Sequence, residues 1–247
     1  MTSNRGRKRA RPRVWPRVLV GVICAGVVLA TLAMVLITYR PAGYRPPTAT
    51  PDEAVNTYLT HELAPAFYNN VQIDAPFEVI VDQDKFNQLV ADGRDLGWAW
   101  PVTLNGVTFS SPVVRFYEGR VALMGQVDVG IPIVVTIEAR PELDDKGLLV
   151  LNLEKVKAGA VNVTRLAKSL CGQIMAAQAA QLEDSQWLQD LAGACLENRP
   201  YDPRFPVPPC RKYIRLTGFD LIDHQLRLRF EPAGTMDRPA ASHSRWP

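Results

Sequence analysis

Apolar and polar residues alternate with a period of two over a long stretch in the middle of the chain. From Val121 to Ile137 the odd positions are Val121, Leu123, Gly125, Val127, Val129, Ile131, Ile133, Val135 and Ile137. Arg120, Gln126, Asp128, Thr136 and Glu138 fall on even positions. Successive side chains of a strand point to opposite faces, so the pattern predicts one long strand with a dry face. Pro132 lies inside it and predicts an edge position, a bulge or a bend. Pro112–Tyr117 precedes it across a Glu118-Gly119 turn, and Leu148–Lys157 follows an Asp144–Gly147 turn. Together these segments predict an antiparallel meander.

Other segments flank the meander. Asp52 is placed to cap a short helix ending at Leu63. Phe77, Val79 and Val81 alternate as a strand. Asp82 then caps a helix with Phe86, Leu89 and Val90 inward and Gly93 at its end. Beyond the meander, Val163, Leu166, Ala167, Leu170, Ile174 and Ala177 recur at helical spacing, and Ser185–Cys195 is a second helical stretch. A proline-laden loop follows, and two short strands, Arg215–Leu221 and Gln225–Phe230, close the domain around an Asp223-His224 turn.

The longest apolar run lies near the N-terminus. Residues 18–38, VLVGVICAGVVLATLAMVLIT, hold no charge and no proline. That is the length needed to cross a hydrocarbon core of about 30 Å as a helix. A helix buried in a soluble core normally keeps a polar stripe, and this run has none. Arg5, Arg7, Lys8, Arg9, Arg11, Arg13 and Arg17 precede it, whereas only Arg40 and Arg45 follow closely. The positive-inside rule places residues 1–17 in the cytoplasm, with Trp15 and Tyr39 at the two interfaces. A cleaved signal peptide would have a shorter apolar stretch and a small-x-small end. The expected organisation is a basic cytoplasmic tail at 1–17, a transmembrane helix at 18–38 and a proline-rich linker at 39–51. An extracytoplasmic domain at 52–231 and a disordered tail at 232–247 complete it. The linker is expected to be an extended spacer that lifts the domain off the membrane. The fold class is α+β: a long curved antiparallel β-meander packed on two or more helices, preceded by one transmembrane helix.

Composition adds little to this. The net charge of +3 comes from the N-terminal tail, so the folded part gives no reason to propose a nucleic-acid partner. Candidate chemistry is sparse. His61-Glu62-Leu63-Ala64-Pro65 begins like a zinc-protease HExxH, but Pro65 stands where the second ligand belongs. No GxSxG, GxxxxGK[ST] or GxGxxG is present. The carboxylate pairs Asp82/Asp84 and Asp144/Asp145 fall at a helix start and a turn, where capping or solvated acids are expected. The expectation is no enzyme, no metal and no cofactor.

Disulfides persist outside the cytoplasm. Cys195–Cys210 would close the proline-rich loop and is the first choice, with Cys171–Cys195 the alternative. Such a loop closure contributes about 3 kcal/mol in the chain-entropy model. Trp98-Ala99-Trp100-Pro101 reads as a core plug, a guard at a pocket mouth or a bilayer contact.

The order of elements resembles a known family. An anchor leads to VIVDQDKFNQLV, then to VRFYEGRVALMGQVDV, then to IEARPELDDKGLLVLNLEKVKAGAVNVTRLAKSL. This resembles the YpmS-like family of membrane-anchored bacterial proteins of unknown function. It also looks like the broader tubular lipid-binding (TULIP-like) class, in which long curved strands wrap helices and leave an apolar groove. The matched part runs from about Phe77 to Leu170, and the family supplies no fixed site to carry over.

The functional expectation is an anchored envelope protein that binds a lipid or another apolar molecule. Its groove would lie between Val127, Val129, Ile131, Ile133 and Val135 on the sheet and Leu166, Leu170 and Ile174 on the following helix. The alternative is a non-catalytic structural or protein-interaction module that meets an envelope protein partner. An open apolar cavity favours the first, and a filled core with an exposed apolar patch the second.

Overall fold

The computed structural model describes residues 15–48, 57–93, 100–104, 107–167, 190, 193–195 and 197–236, with side chains of the first helix described from residue 22 onward. That helix, α1, is Trp15–Ile37. Counted over described residues alone, no helix is long and apolar enough to cross a membrane. The described side chains of α1 begin only at residue 22; they are exposed along the helix, from Val22 at 66% to Val35 at 60%, and apolar but for Thr31, whose hydroxyl donates to the Val27 carbonyl at 2.9 Å.

A π-helical turn, Tyr58–Leu63, runs straight into α2, Ala64–Ile73. The helix expected to stop at Leu63 therefore continues. Pro65 falls at the junction where the π-helical turn passes into α2. Then come β1, Phe77–Asp82, and α3, Gln83–Asp92. The Asp82 carboxylate accepts from the Asp84 and Lys85 amides at 3.0 Å each, as the cap reading expected. Gly93 ends the helix in the left-handed region at φ 65°.

The meander comprises β2, Val102–Leu104; β3, Val107–Tyr117; β4, Arg120–Asp128; β5, Pro132–Leu143; β6, Leu149–Ala158; and β7, Val161–Asn162. They lie in this order in one antiparallel sheet. A helical turn follows at 164–167. The second sheet has the order β1–β10–β9–β8, with β8 at Arg204–Val207, β9 at Lys212–Ile222 and β10 at Gln225–Thr235. The proline-laden loop thus contains a short strand, and β10 runs four residues into the segment expected to be a tail.

The expected single strand from Val121 to Ile137 is a hairpin. The chain reverses at Val129–Ile131, with Gly130 at φ 97° and its amide donating to the Asp128 carboxylate at 2.8 Å. Pro132 opens the returning strand, opposite Asp128. Partners across this turn have the same parity, Val127 with Ile133 and Leu123 with Ile137, so alternation passes through it unbroken.

The main apolar core lies between the small sheet, α2 and the far end of β3. Val71, Val79, Phe116, Ile214, Leu216 and Phe230 are buried there. Phe67 of α2 meets Phe77 and Phe230 edge-on, each at 6.0 Å. Two buried amides of α3 tie this core to the meander. Gln83 accepts from the Phe116 amide at 2.8 Å, and Asn87 both accepts from the Val114 amide at 2.6 Å and donates to the Val114 carbonyl at 2.8 Å.

The described part of the linker, residues 39–48, is docked where an extended spacer was expected. Residues 38–48 form a strap across the even face of the meander. Tyr44 is buried with Val113, Met124 and Val134, and its hydroxyl donates to the Ser111 carbonyl at 3.0 Å. Arg115 donates to the Gly43 carbonyl at 3.0 Å, and Gln88 of α3 donates to the Thr48 carbonyl at 3.0 Å. The end of α1 is seated on the β6–β7 turn, where the Ala160 amide donates to the Leu36 carbonyl at 2.8 Å. Gly159, at φ 58°, lies so close that a Cβ would stand 2.2 Å from the Ile37 carbonyl oxygen.

Candidate functional site

The two faces of the meander are used differently. The even positions Ala122, Met124, Val134 and Thr136 are buried. The odd positions are not uniformly dry: Leu123 is 44% exposed, and Val127, Val135 and Ile137 are half-buried. The bulge in β3 between Ser110 and Val113 shifts its parity, so Phe109 and Val114 share the odd face. Where that face meets α3 and the small sheet, Phe116 and Val121 join the main core. Towards the other end of the strands it opens into a cavity of about 600 Å³.

Four elements and a loop build this cavity. Phe109, Pro112 and Val114 come from β3, and Leu123 and Val127 from β4. Val135 and Ile137 come from β5. The opposing wall is Phe86 and Val90 of α3 with Trp100, whose indole N–H donates to the Val90 carbonyl at 2.9 Å. That bond satisfies the polar end of the indole and leaves its rings to the cavity. Ser110 and Gln126 are the polar residues of the described lining, which holds no titratable side chain.

The described lining is almost wholly apolar, and its surface suits an apolar molecule. Its volume falls within the range of about 300–1,000 Å³ typical of small-molecule sites. Among the described residues, no group of three or more His, Cys, Asp or Glu side chains is placed to hold a metal ion. Behind the sheet, burial pushes the Tyr44 phenol above its ordinary pKa of 10.0, so its neutral form holds the strap.

Of the residues expected to form the groove, Val127 and Val135 line the cavity. Ile133 faces Val127 in register but stands outside the lining. Val129 and Ile131 are at the hairpin tip, with Val129 54% exposed, because the chain turns where a continuous strand was expected. Leu166 is 60% exposed, and Leu170 and Ile174 lie outside the described residues. The described wall opposite the sheet is therefore α3 and Trp100. Phe86 and Val90 were expected to face the core, and helical spacing alone does not distinguish a filled interface from an unfilled one; for Trp100 a core plug, a pocket guard and a bilayer contact were all open, and it stands at the cavity wall.

The Cys195–Cys210 bridge is not formed. Cys210 carries a free thiol in a 3-10 turn, Pro208–Cys210, and packs against the main core. Cys171 lies outside the described residues.

No protein-family model, curated protein or solved structure matches the chain.

Proposed function

We propose that this chain is a single-pass membrane protein whose outer domain binds a lipid or another apolar molecule in the cavity on the odd face of the meander. The observation that carries the reading is the cavity itself: about 600 Å³, bounded by Phe, Val, Leu, Ile, Trp and Pro side chains. Burial of apolar ligand surface there contributes about 25 cal/mol per Å².

The anchor reading is supported by α1. Its 23 residues span about 35 Å at 1.5 Å per residue, and its described side chains carry no charge, with the one hydroxyl, Thr31, bonded back to the helix. In water, such an exposed helix would be an aggregation liability; in lipid it is at its energetic optimum. The basic residues before it favour a cytoplasmic N-terminus and an outer domain beyond the membrane. The resemblance to YpmS-like and tubular lipid-binding proteins is consistent with this reading but does not carry it.

The alternative, a protein-interaction module, has weaker support. The outer surface of the small sheet carries the ion pairs Arg227–Glu78 and Arg229–Asp220, which suit a solvated face. Native mass spectrometry of the full chain extracted from membranes is the direct test. It should find lipid retained after mild extraction. A chain that leaves the membrane lipid-free and takes up no fatty-acid probe overturns the reading.

A further inference from the structure

The two ends of the six-stranded sheet differ sharply in polarity. At one end lie the Glu118-Gly119 turn beside Arg120, and the Asp144–Gly147 turn, where the Asp144 carboxylate accepts from the Lys146 and Leu148 amides at 2.8 Å each. At the other end the β4–β5 tip reads Val129-Gly130-Ile131-Pro132. Val129 is 54% exposed, and Phe109, which pairs with Val127 and lines the cavity, is 37% exposed.

The apolar end is also the end where α1 leaves. The β6–β7 turn, Gly159-Ala160, holds the Leu36 and Ile37 carbonyls, and the Gly159 amide donates to the Val134 carbonyl at 2.8 Å. From Val134 the strand runs on past Pro132 to the tip, on the order of 13 Å at 3.3 Å per residue. The described side chains of α1 up to Val35 are exposed, so this part of the helix does not fold back along the sheet.

We infer that the Val129–Pro132 tip rests in the lipid surface beside the exit of α1, with Phe109 behind it leading from the bilayer to the cavity. The inference rests on the reading of α1 as the membrane anchor. The tip suits such a medium because its backbone is partly satisfied within itself: the Gly130 amide donates to Asp128, and the Val129 amide to the Ile131 carbonyl at 3.4 Å. Asp128 is exposed and charged, and it sets the depth: only Val129, Gly130 and Ile131 pass the headgroups. The track from tip to cavity spares an apolar ligand a crossing through water.

Photo-crosslinking in the full chain tests this. A benzophenone amino acid replaces Val28 in α1, Val129 at the tip, or Asp145 at the opposite end of the sheet, and the chains are reconstituted in phosphatidylcholine nanodiscs. Lipid adducts are expected at positions 28 and 129 and none above background at 145. Adducts at 28 without adducts at 129 overturn the tip inference and leave the anchor standing. Absence of adducts at 28 removes the anchor reading and the inference with it. Equal labelling at 129 and 145 overturns the inference, as does an undiminished adduct at 129 in detergent, where co-purified lipid is the only lipid present.

Discussion

The even and odd faces of the meander are built from similar apolar residues, yet one is closed and the other open. Met124 and Val134 are buried because Tyr44 lies on them. Leu123 and Val135, one step along the same strands, face a cavity. The difference does not lie in side-chain hydrophobicity. It lies in what the chain lays over each face: a strap held by hydrogen bonds on one, and a helix and a tryptophan that arch over the other. A period-two pattern reports that a face is apolar; it does not report what covers it.

The largest effect should come from charging the closed face. Val134→Asp puts a carboxylate among Tyr44, Val113 and Met124 under the strap, at a cost of several kcal/mol. That is a large share of the roughly 5–15 kcal/mol by which domains are stable. Loss of folded protein is expected in thermal melts, and wild-type melting would show that this face is not core. Next is Gly159→Val. Its Cβ would overlap the Ile37 carbonyl in a left-handed backbone, for a cost of about 2–4 kcal/mol. The strap should loosen, so cleavage by chymotrypsin after Tyr39 and Tyr44 should accelerate; unchanged cleavage would mean the junction with α1 does not hold it.

Tyr44→Phe removes the bond to the Ser111 carbonyl and should cost about 1 kcal/mol. The same residue predicts a pH dependence. Its folded pKa is raised by burial, so its contribution is complete below the ordinary value of 10.0 and is lost as pH rises through the raised value. Hydrogen exchange of residues 38–48 should rise in that alkaline range in the wild type and much less in Tyr44→Phe. The smallest effect on stability should follow Leu123→Trp on the open face, within about 1 kcal/mol, because the added rings have room. Bound lipid should fall sharply in the same variant. Unfolding by Leu123→Trp would make the two faces alike and remove the comparison.

Much of the fold was legible in the chain. The Asp82 cap, the helix to Gly93, the Glu118-Gly119 hairpin and the Asp144–Gly147 turn all depend on local chemistry, and they lie where that chemistry puts them. The Val129–Ile131 turn was hidden because its three residues preserve parity, and two of them are apolar. Asp128 and Gly130 were the available signal, an acid placed to bond an amide two residues on. The strap was hidden for a different reason. Proline-rich segments look extended whether solvated or docked, and only the surface beneath distinguishes them. The cavity was half legible: the sheet side followed from alternation, but the opposing wall depended on long-range contacts that no local pattern carries.

One feature of α3 bears on how the chain behaves among copies of itself. Beyond the reach of β2, the outward backbone groups of β3 at Val114 and Phe116 are engaged by the amides of Asn87 and Gln83. An open strand edge is a template for the strand of another molecule. Here the template is occupied by two side chains one helical turn apart, so an incoming strand would have to displace α3 before it could pair. Protection against edge-to-edge association along this part of β3 therefore resides in two carboxamides, and is as durable as the seating of the helix that carries them.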